Sequence, residues 1–127
     1  MRVYISNALS LAMLPERFRD PRHPEYEDGS VFNLRVTAVA DPAAKLRELE
    51  KVGYRVESCV GHPDTARLFS RILGREVPAN RVSVSLDPHQ GDILLVGQYQ
   101  GPRLPEGATK LPEGASISWL LVEMTEA

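Results

Sequence analysis

The chain has 127 residues, of which 43% are apolar and 25% are charged, and its formal net charge is -2 at pH 7. This length fits one domain with its own hydrophobic core, and the weakly acidic balance argues against a protein that coats long nucleic acid. Cys59 is the only cysteine, so no intramolecular disulfide can form, and the three histidines show no metal-ligand spacing.

The amino-terminal segment predicts a strand followed by a turn. Residues 2–6 alternate between polar and apolar, and the pattern breaks at Asn7. Asn7 and Ser10 follow the carboxyl end of this strand, where ligand-binding groups gather in α/β folds. The alternative, which the residue pattern alone favours, is that they bond and cap their own turn. No segment has the apolar run of a signal peptide or membrane span, so we expect a cytoplasmic protein that binds no membrane.

A loop and a strand come next. Residues 16–30 are rich in proline and in charged side chains of both signs, which predicts a solvated surface loop. The alternation that follows predicts a half-buried strand over residues 32–39. The apolar face of this strand is predicted to consist of Phe32, Leu34, Val36 and Ala38.

The middle of the chain predicts helix, strand and helix. Asp41 and Pro42 are typical of a helix start and Gly53 of a helix end, so a helix is expected over residues 42–52. A strand over residues 54–60 and an amphipathic helix over residues 63–73 follow. The order strand, helix, strand over residues 32–60 suggests a crossover unit with some parallel strand pairing.

The carboxy-terminal half predicts three more strands, over residues 81–86, 92–99 and 117–124. Residues 99–116 contain the sequence LPEGA twice, and their prolines and glycines exclude a long helix or strand. Together these elements predict a single α/β domain over residues 1–127, with a mixed β-sheet flanked by helices.

The candidate chemistry centres on His62, at the amino-terminal end of the predicted helix. Backbone N–H groups at such an end attract anions, and an imidazole there can give a proton to a leaving oxygen. Arg81, Arg103 and Glu106 lie at predicted sheet edges, and the set resembles that of a metal-independent ribonuclease. In such an enzyme the ribose 2′-hydroxyl attacks its own phosphodiester.

Each of these residues has a structural alternative. His62 can serve only as a helix cap, Arg81 can brace a strand end, and Arg103 and Glu106 can pair on the surface. Composition and periodicity therefore leave the function undecided.

Three sequence blocks carry a resemblance to a known family. They read YISNALSLAMLP at the start, GHPDTARLFSRILGREVPANR in the middle and GDILLVGQYQGPRLPEGA near the end. In this order they resemble the viral ring nuclease family, the type III anti-CRISPR proteins and their cellular relatives. The resemblance implies a homodimer that binds cyclic tetra-adenylate at the subunit interface. It also implies cleavage, with no metal or cofactor, to linear di-adenylates ending in a 2′,3′-cyclic phosphate.

The resemblance implies roles by position. His62 matches the general acid for the leaving 5′-oxygen, Glu106 an active-site glutamate and Arg103 a phosphate-holding arginine. Ser10 matches a serine near the scissile ribose. The further ligand-binding positions are Asn7, Arg81, Gln98, Gly61 and Asp64. The chain departs from the pattern at Ala12 and Asp64, and Asp64 adds a negative charge two residues after His62.

We therefore expect a phosphodiester-cleaving ribonuclease that switches off or evades type III CRISPR defence, with its active-site loop at residues 99–116. One alternative is a non-catalytic protein that sequesters or senses a cyclic oligonucleotide. A second is a transcription or partner-binding module, which needs an exposed basic or apolar face that the charge pattern does not indicate.

Overall fold

The computed structural model describes residues 1–108 and 110–126, and within them a five-stranded sheet with three α-helices. In chain order the elements are β1 (Arg2–Ser6), a 3₁₀ turn (Leu11–Met13), α1 (Glu16–Arg19), β2 (Phe32–Ala38), α2 (Pro42–Lys51), β3 (Arg55–Ser58), α3 (Pro63–Leu73), β4 (Ile93–Gln100) and β5 (Ser116–Glu126).

The sheet is mixed, with the strand order β2-β5-β4-β1-β3. β1 lies between β3 and β4 and runs parallel to both, whereas β5 runs antiparallel to β2 and β4. The single-domain α/β fold with a mixed sheet is therefore confirmed. The sheet contains parallel pairs, between β1 and each of its two neighbours, but β2 and β3, the strands of the predicted crossover unit, lie at opposite ends of the sheet and do not pair with each other.

The two longer helices cover one face of the sheet. Asp41 caps α2 by accepting the Ala44 N–H over 3.0 Å, and α3 ends at Gly74, whose φ is 65°. Both boundaries follow the sequence prediction, because capping depends on local residues. The apolar stripes of the helices meet the sheet in a core that includes Leu46, Phe69, Ile5, Leu95 and Trp119.

The opposite face is covered by irregular segments, and here the strand predicted over residues 81–86 is wrong. The segment makes no ladder with the sheet, although Val84 and Leu86 are buried against it. Leu86 N–H bonds instead to the Met13 carbonyl at 2.7 Å. An extended segment lying across an apolar face shows the same alternation as a strand, so the pattern could not distinguish the two.

β2 is not half-buried as predicted, because it forms an edge of the sheet. Its register pairs Leu34 with Met124 and Val36 with Val122, so these residues share one face. Leu34 and Val36 are nevertheless 42% and 52% exposed. We call Leu34, Val36 and Ala38 the β2 apolar strip. The charge pattern did not reveal this exposed apolar face.

The loop over residues 16–30 is more structured than predicted. It begins with the four-residue helix α1, in which Phe18 packs edge-on against Phe32 at 4.6 Å between ring centroids. Arg17 bridges Asp87 at 3.1 Å. The start of this segment therefore packs against β2 and Asp87, while most of residues 21–30 are exposed. Within the described ranges, no helix is long and apolar enough to cross a membrane.

Candidate functional site

The carboxyl ends of β1, β3 and β4 meet at one edge of the sheet, which we call the carboxyl edge. Ile5 is opposite Ser58 and Ser6 is opposite Val96, after which β4 continues to Gln100. The segments that follow β1, β3 and β4 therefore begin at this edge. In open α/β sheets, ligands bind outside the carboxyl ends of parallel strands.

His62 occupies the position that precedes the first turn of α3. Its Nδ1 accepts the Asp64 N–H over 3.2 Å, and its carbonyl accepts the Ala66 N–H over 3.0 Å. The predicted cap role is therefore confirmed. While this bond is present, Nδ1 carries no proton, so Nε2 holds the proton of the neutral ring. The ring is exposed to solvent.

Arg81 lies over Gly61, directly before His62. Its Nε donates to the Gly61 carbonyl over 3.4 Å, and its side-chain stem covers the Gly61 Cα. A Cβ added to Gly61 would lie 3.0 Å from the Arg81 Cγ. The structure therefore brings Gly61, His62 and Arg81 together, and an exposed guanidinium lies beside the helix start.

Two residues that the sequence analysis missed hold Arg81 at this place. Asn80 donates its backbone N–H to Val60 over 2.8 Å and its side-chain Nδ2 to the Ser58 carbonyl over 2.9 Å. Ser58, which is 5% exposed, donates its hydroxyl to the Pro78 carbonyl over 2.7 Å. No local sequence signal marks this role, because both residues act through hydrogen bonds to a distant segment.

We call residues 101–115 the lid loop; they connect β4 to β5. The first LPEGA forms a tight turn in which the Ala108 N–H donates to Pro105 over 3.1 Å and Gly107 has a φ of 74°. The Gly107 N–H then donates to Asp64 Oδ1 over 3.3 Å. This contact brings the turn containing Glu106 to the start of α3, next to His62.

Arg103 and Glu106 are both exposed, and in the described part of the lid loop they form no ion pair with each other. The second LPEGA repeats the turn, with a bond of 3.1 Å from Ala115 N–H to Pro112 and a φ of 81° at Gly114.

The remaining predicted positions begin at the same edge but have fewer contacts. Ser10 Oγ accepts the Ala12 N–H over 3.2 Å and so caps the 3₁₀ turn, as the structural alternative proposed. The turn after β1 is bonded by buried Ser6, whose Oγ donates to the Ala8 carbonyl over 2.7 Å. Asn7 and Gln98 are left exposed near the carboxyl edge.

Cys59 does not add a nucleophile to this edge. Burial raises the pKa of its thiol, although the Ser6 hydrogen bond acts in the opposite direction. Its Sγ donates to the Ile5 carbonyl over 3.3 Å. A raised pKa favours the protonated thiol over the thiolate, which is the stronger nucleophile.

A cavity of about 640 Å³ lies on the sheet face opposite α2 and α3, lined in part by Arg19, His23, Ser83, Ser85 and Asp87. Its basic and acidic groups nearly balance, so it offers no strong field for an anion. Within residues 1–108 and 110–126, no group of three or more His, Cys, Asp or Glu side chains is suited to hold a metal ion.

Comparison with known proteins relates the chain to a viral protein family by sequence and by fold. The family model described as STIV B116-like matches residues 3–114. The fold is similar to the solved structure of B116 of Sulfolobus turreted icosahedral virus, with a TM-score of 0.67 and 23% sequence identity over 97% of this chain and 99% of that one. None of the curated proteins compared with the chain matches it.

Proposed function

The chain belongs to the STIV B116-like family, and we propose that it is a metal-independent ring nuclease. It cleaves cyclic tetra-adenylate into linear di-adenylates with 2′,3′-cyclic phosphate ends and thereby switches off or evades type III CRISPR defence. The proposal combines the resemblance of the three sequence blocks with the arrangement of residues at the carboxyl edge. The cytoplasmic location stays a prediction.

The hydrogen bond between Gly107 N–H and Asp64 Oδ1 is the observation that carries this proposal. His62 and Glu106 are far apart in sequence and lie on different elements, yet this bond brings their neighbouring residues into contact. A nuclease needs an acid, a carboxylate and cationic groups around one phosphate. The proposed site meets this need with His62, Glu106 and the two exposed arginines, Arg81 and Arg103.

In the proposed reaction, the 2′-hydroxyl oxygen of one adenylate attacks its own phosphorus, and the bond from phosphorus to the 5′-oxygen breaks. The 5′-oxygen takes a proton from the His62 imidazolium, and Glu106 orients or accepts the proton of the 2′-hydroxyl. Arg103 and Arg81 offset the charge that develops on the phosphate oxygens. Two such cuts yield two linear di-adenylates.

The helix cap places a condition on this chemistry. An imidazolium carries a proton on both nitrogens, so the Asp64 N–H cannot donate to Nδ1 in that state. To act as the imidazolium, His62 must therefore leave its cap position. If it keeps the cap bond, the ring is neutral and can only donate a hydrogen bond from Nε2. The same cap bond favours the alternative function, a protein that binds a cyclic oligonucleotide without cutting it.

The proposal includes a homodimer. The ligand has internal two-fold symmetry, so two copies can present the same groups to opposite phosphates. The β2 apolar strip supplies a surface for a second copy, since Leu34 and Val36 are exposed although they continue the apolar face of the sheet.

Product analysis tests the proposal directly. The purified protein is incubated with cyclic tri-, tetra- and hexa-adenylate in EDTA, and the products are identified by mass. Linear di-adenylate with a cyclic phosphate end is the expected product from cyclic tetra-adenylate. Tight binding of the ring without any product would support the alternative binder, and neither binding nor cleavage would refute both functions.

A further inference from the structure

Asp64 contacts both halves of the proposed site through different atoms. Its backbone N–H donates to His62 Nδ1 over 3.2 Å, and its Oδ1 accepts the Gly107 N–H over 3.3 Å. The first bond holds the neutral imidazole at the helix start, and the second ties the lid loop to α3. One residue therefore couples two segments, although Asp64 and Gly107 are 43 positions apart in sequence.

We propose that Asp64 is a positioning residue whose carboxylate latches the lid loop to the start of α3, so that Arg103 and Glu106 are held beside the His62 imidazole. The inference rests on the proposed function and refines it. Asp64 was expected among the ligand-binding positions, but its carboxylate has protein partners instead, and a carboxylate would repel a phosphate.

The start of α3, which carries Asp64, is held in place by the core. Asp64 Oδ1 also accepts Arg67 NH1 over 2.9 Å, and the Asp64 side chain is only 20% exposed. The helix beneath it is anchored by Ala66, Leu68 and Phe69, which are all buried in the core. A negative charge in the first turn is also favourable for the helix itself. The carboxylate is therefore held in place whether or not a ligand is present.

The lid loop is the part that needs to be held. Its two ends are close together, since a Cβ added at Gly101 would lie 2.7 Å from the Ala115 Cβ. Between these ends, Arg103, Glu106 and Lys110 are exposed. Exposed segments with few buried contacts open locally at low free-energy cost. A hydrogen bond from the tip of the first LPEGA turn to α3 opposes that opening.

Three variants test the latch. Asp64→Ala removes the acceptor, and Asp64→Asn keeps a side-chain oxygen that can accept the Gly107 N–H. Asp41→Ala is the matched control, since it removes the helix-start aspartate of α2 instead. Two rates are measured: trypsin cleavage after Arg103 and Lys110 without ligand, and turnover of cyclic tetra-adenylate in EDTA. Thermal melts confirm that each variant is folded.

For Asp64→Ala we expect trypsin cleavage in the lid loop to rise about 3- to 10-fold, which corresponds to one lost hydrogen bond. Its kcat should fall about 10- to 100-fold, because small displacements of catalytic groups reduce the rate strongly. Asp64→Asn should stay within a few-fold of wild type in both rates, and Asp41→Ala should change neither.

The outcomes separate the latch from the proposed function. Suppose that trypsin cleavage increases in Asp64→Ala alone, and that no protein, including wild type, cleaves the cyclic tetra-adenylate. This result would support the latch and refute the proposed nuclease function. Wild-type values of both rates in Asp64→Ala would overturn the latch. A loss in Asp64→Asn as large as that in Asp64→Ala would also overturn it, because the acceptor is still present in that variant.

Discussion

Replacing His62 with asparagine separates the two roles that this residue combines. The imidazole Nδ1 caps α3 through the Asp64 N–H at 3.2 Å. Alanine removes this acceptor, which costs about 0.5–2 kcal/mol of stability. Asparagine supplies Oδ1 at the same position and is among the best capping residues. We therefore expect the free energy of unfolding of His62→Asn to lie within about 0.5 kcal/mol of the wild-type value. That of His62→Ala should be clearly lower.

The catalytic effect should not follow the stability. Asparagine cannot donate a proton to the 5′-oxygen, so both variants should cleave cyclic tetra-adenylate about 10²–10⁴-fold more slowly than wild type. Urea unfolding measures the first quantity, and single-turnover cleavage in EDTA, followed by mass, measures the second. Wild-type cleavage by His62→Asn would refute proton donation by this imidazole. Equal stability of His62→Ala and wild type would refute the cap argument.

Two further predictions concern the core and the β2 apolar strip. A Cβ at Gly97 would lie 2.7 Å from atoms of Phe69 and Trp119. Gly97→Ala should therefore lower the free energy of unfolding, measured in urea, by about 1–3 kcal/mol. A decrease of less than about 0.5 kcal/mol would contradict this prediction. Val36→Glu should convert the expected dimer to a monomer, as measured by light scattering, whereas Thr37→Glu on the opposite face of β2 should not. A monomeric wild type, or equal behaviour of the two variants, would contradict a dimer contact through the β2 apolar strip.

Local patterns predicted the two longer helices and most strands correctly, whereas the short helix α1 lies in a segment that was predicted to be a loop. The capping residues Asp41 and His62 mark the starts of α2 and α3, and Gly74 marks the end of α3. The sequence also predicted β1, β4 and β5 within a few residues of their observed bounds, β1 from its alternation and β4 from its continuous apolar run. These signals depend on neighbouring residues, and a single sequence contains them all.

The candidate site was predicted in part. The sequence indicated His62, Arg81, Arg103 and Glu106 as chemical groups and stated the cap role of His62 as an alternative. It did not indicate how these groups are held. Ser58 and Asn80 hold the segment before Arg81 through hydrogen bonds between residues 20 and 22 positions apart. No local pattern marks such pairs.

The sequence by itself determined the boundaries of α2 and α3, the α/β class and the residue types available for chemistry, because these follow from capping, periodicity and composition. Only the tertiary structure decided that residues 81–86 lie across the sheet instead of within it, and that β2 is an exposed edge. It also decided that the lid loop reaches Asp64. Such choices depend on which distant segments bury one another's apolar surface, and that competition is settled by the whole chain at once.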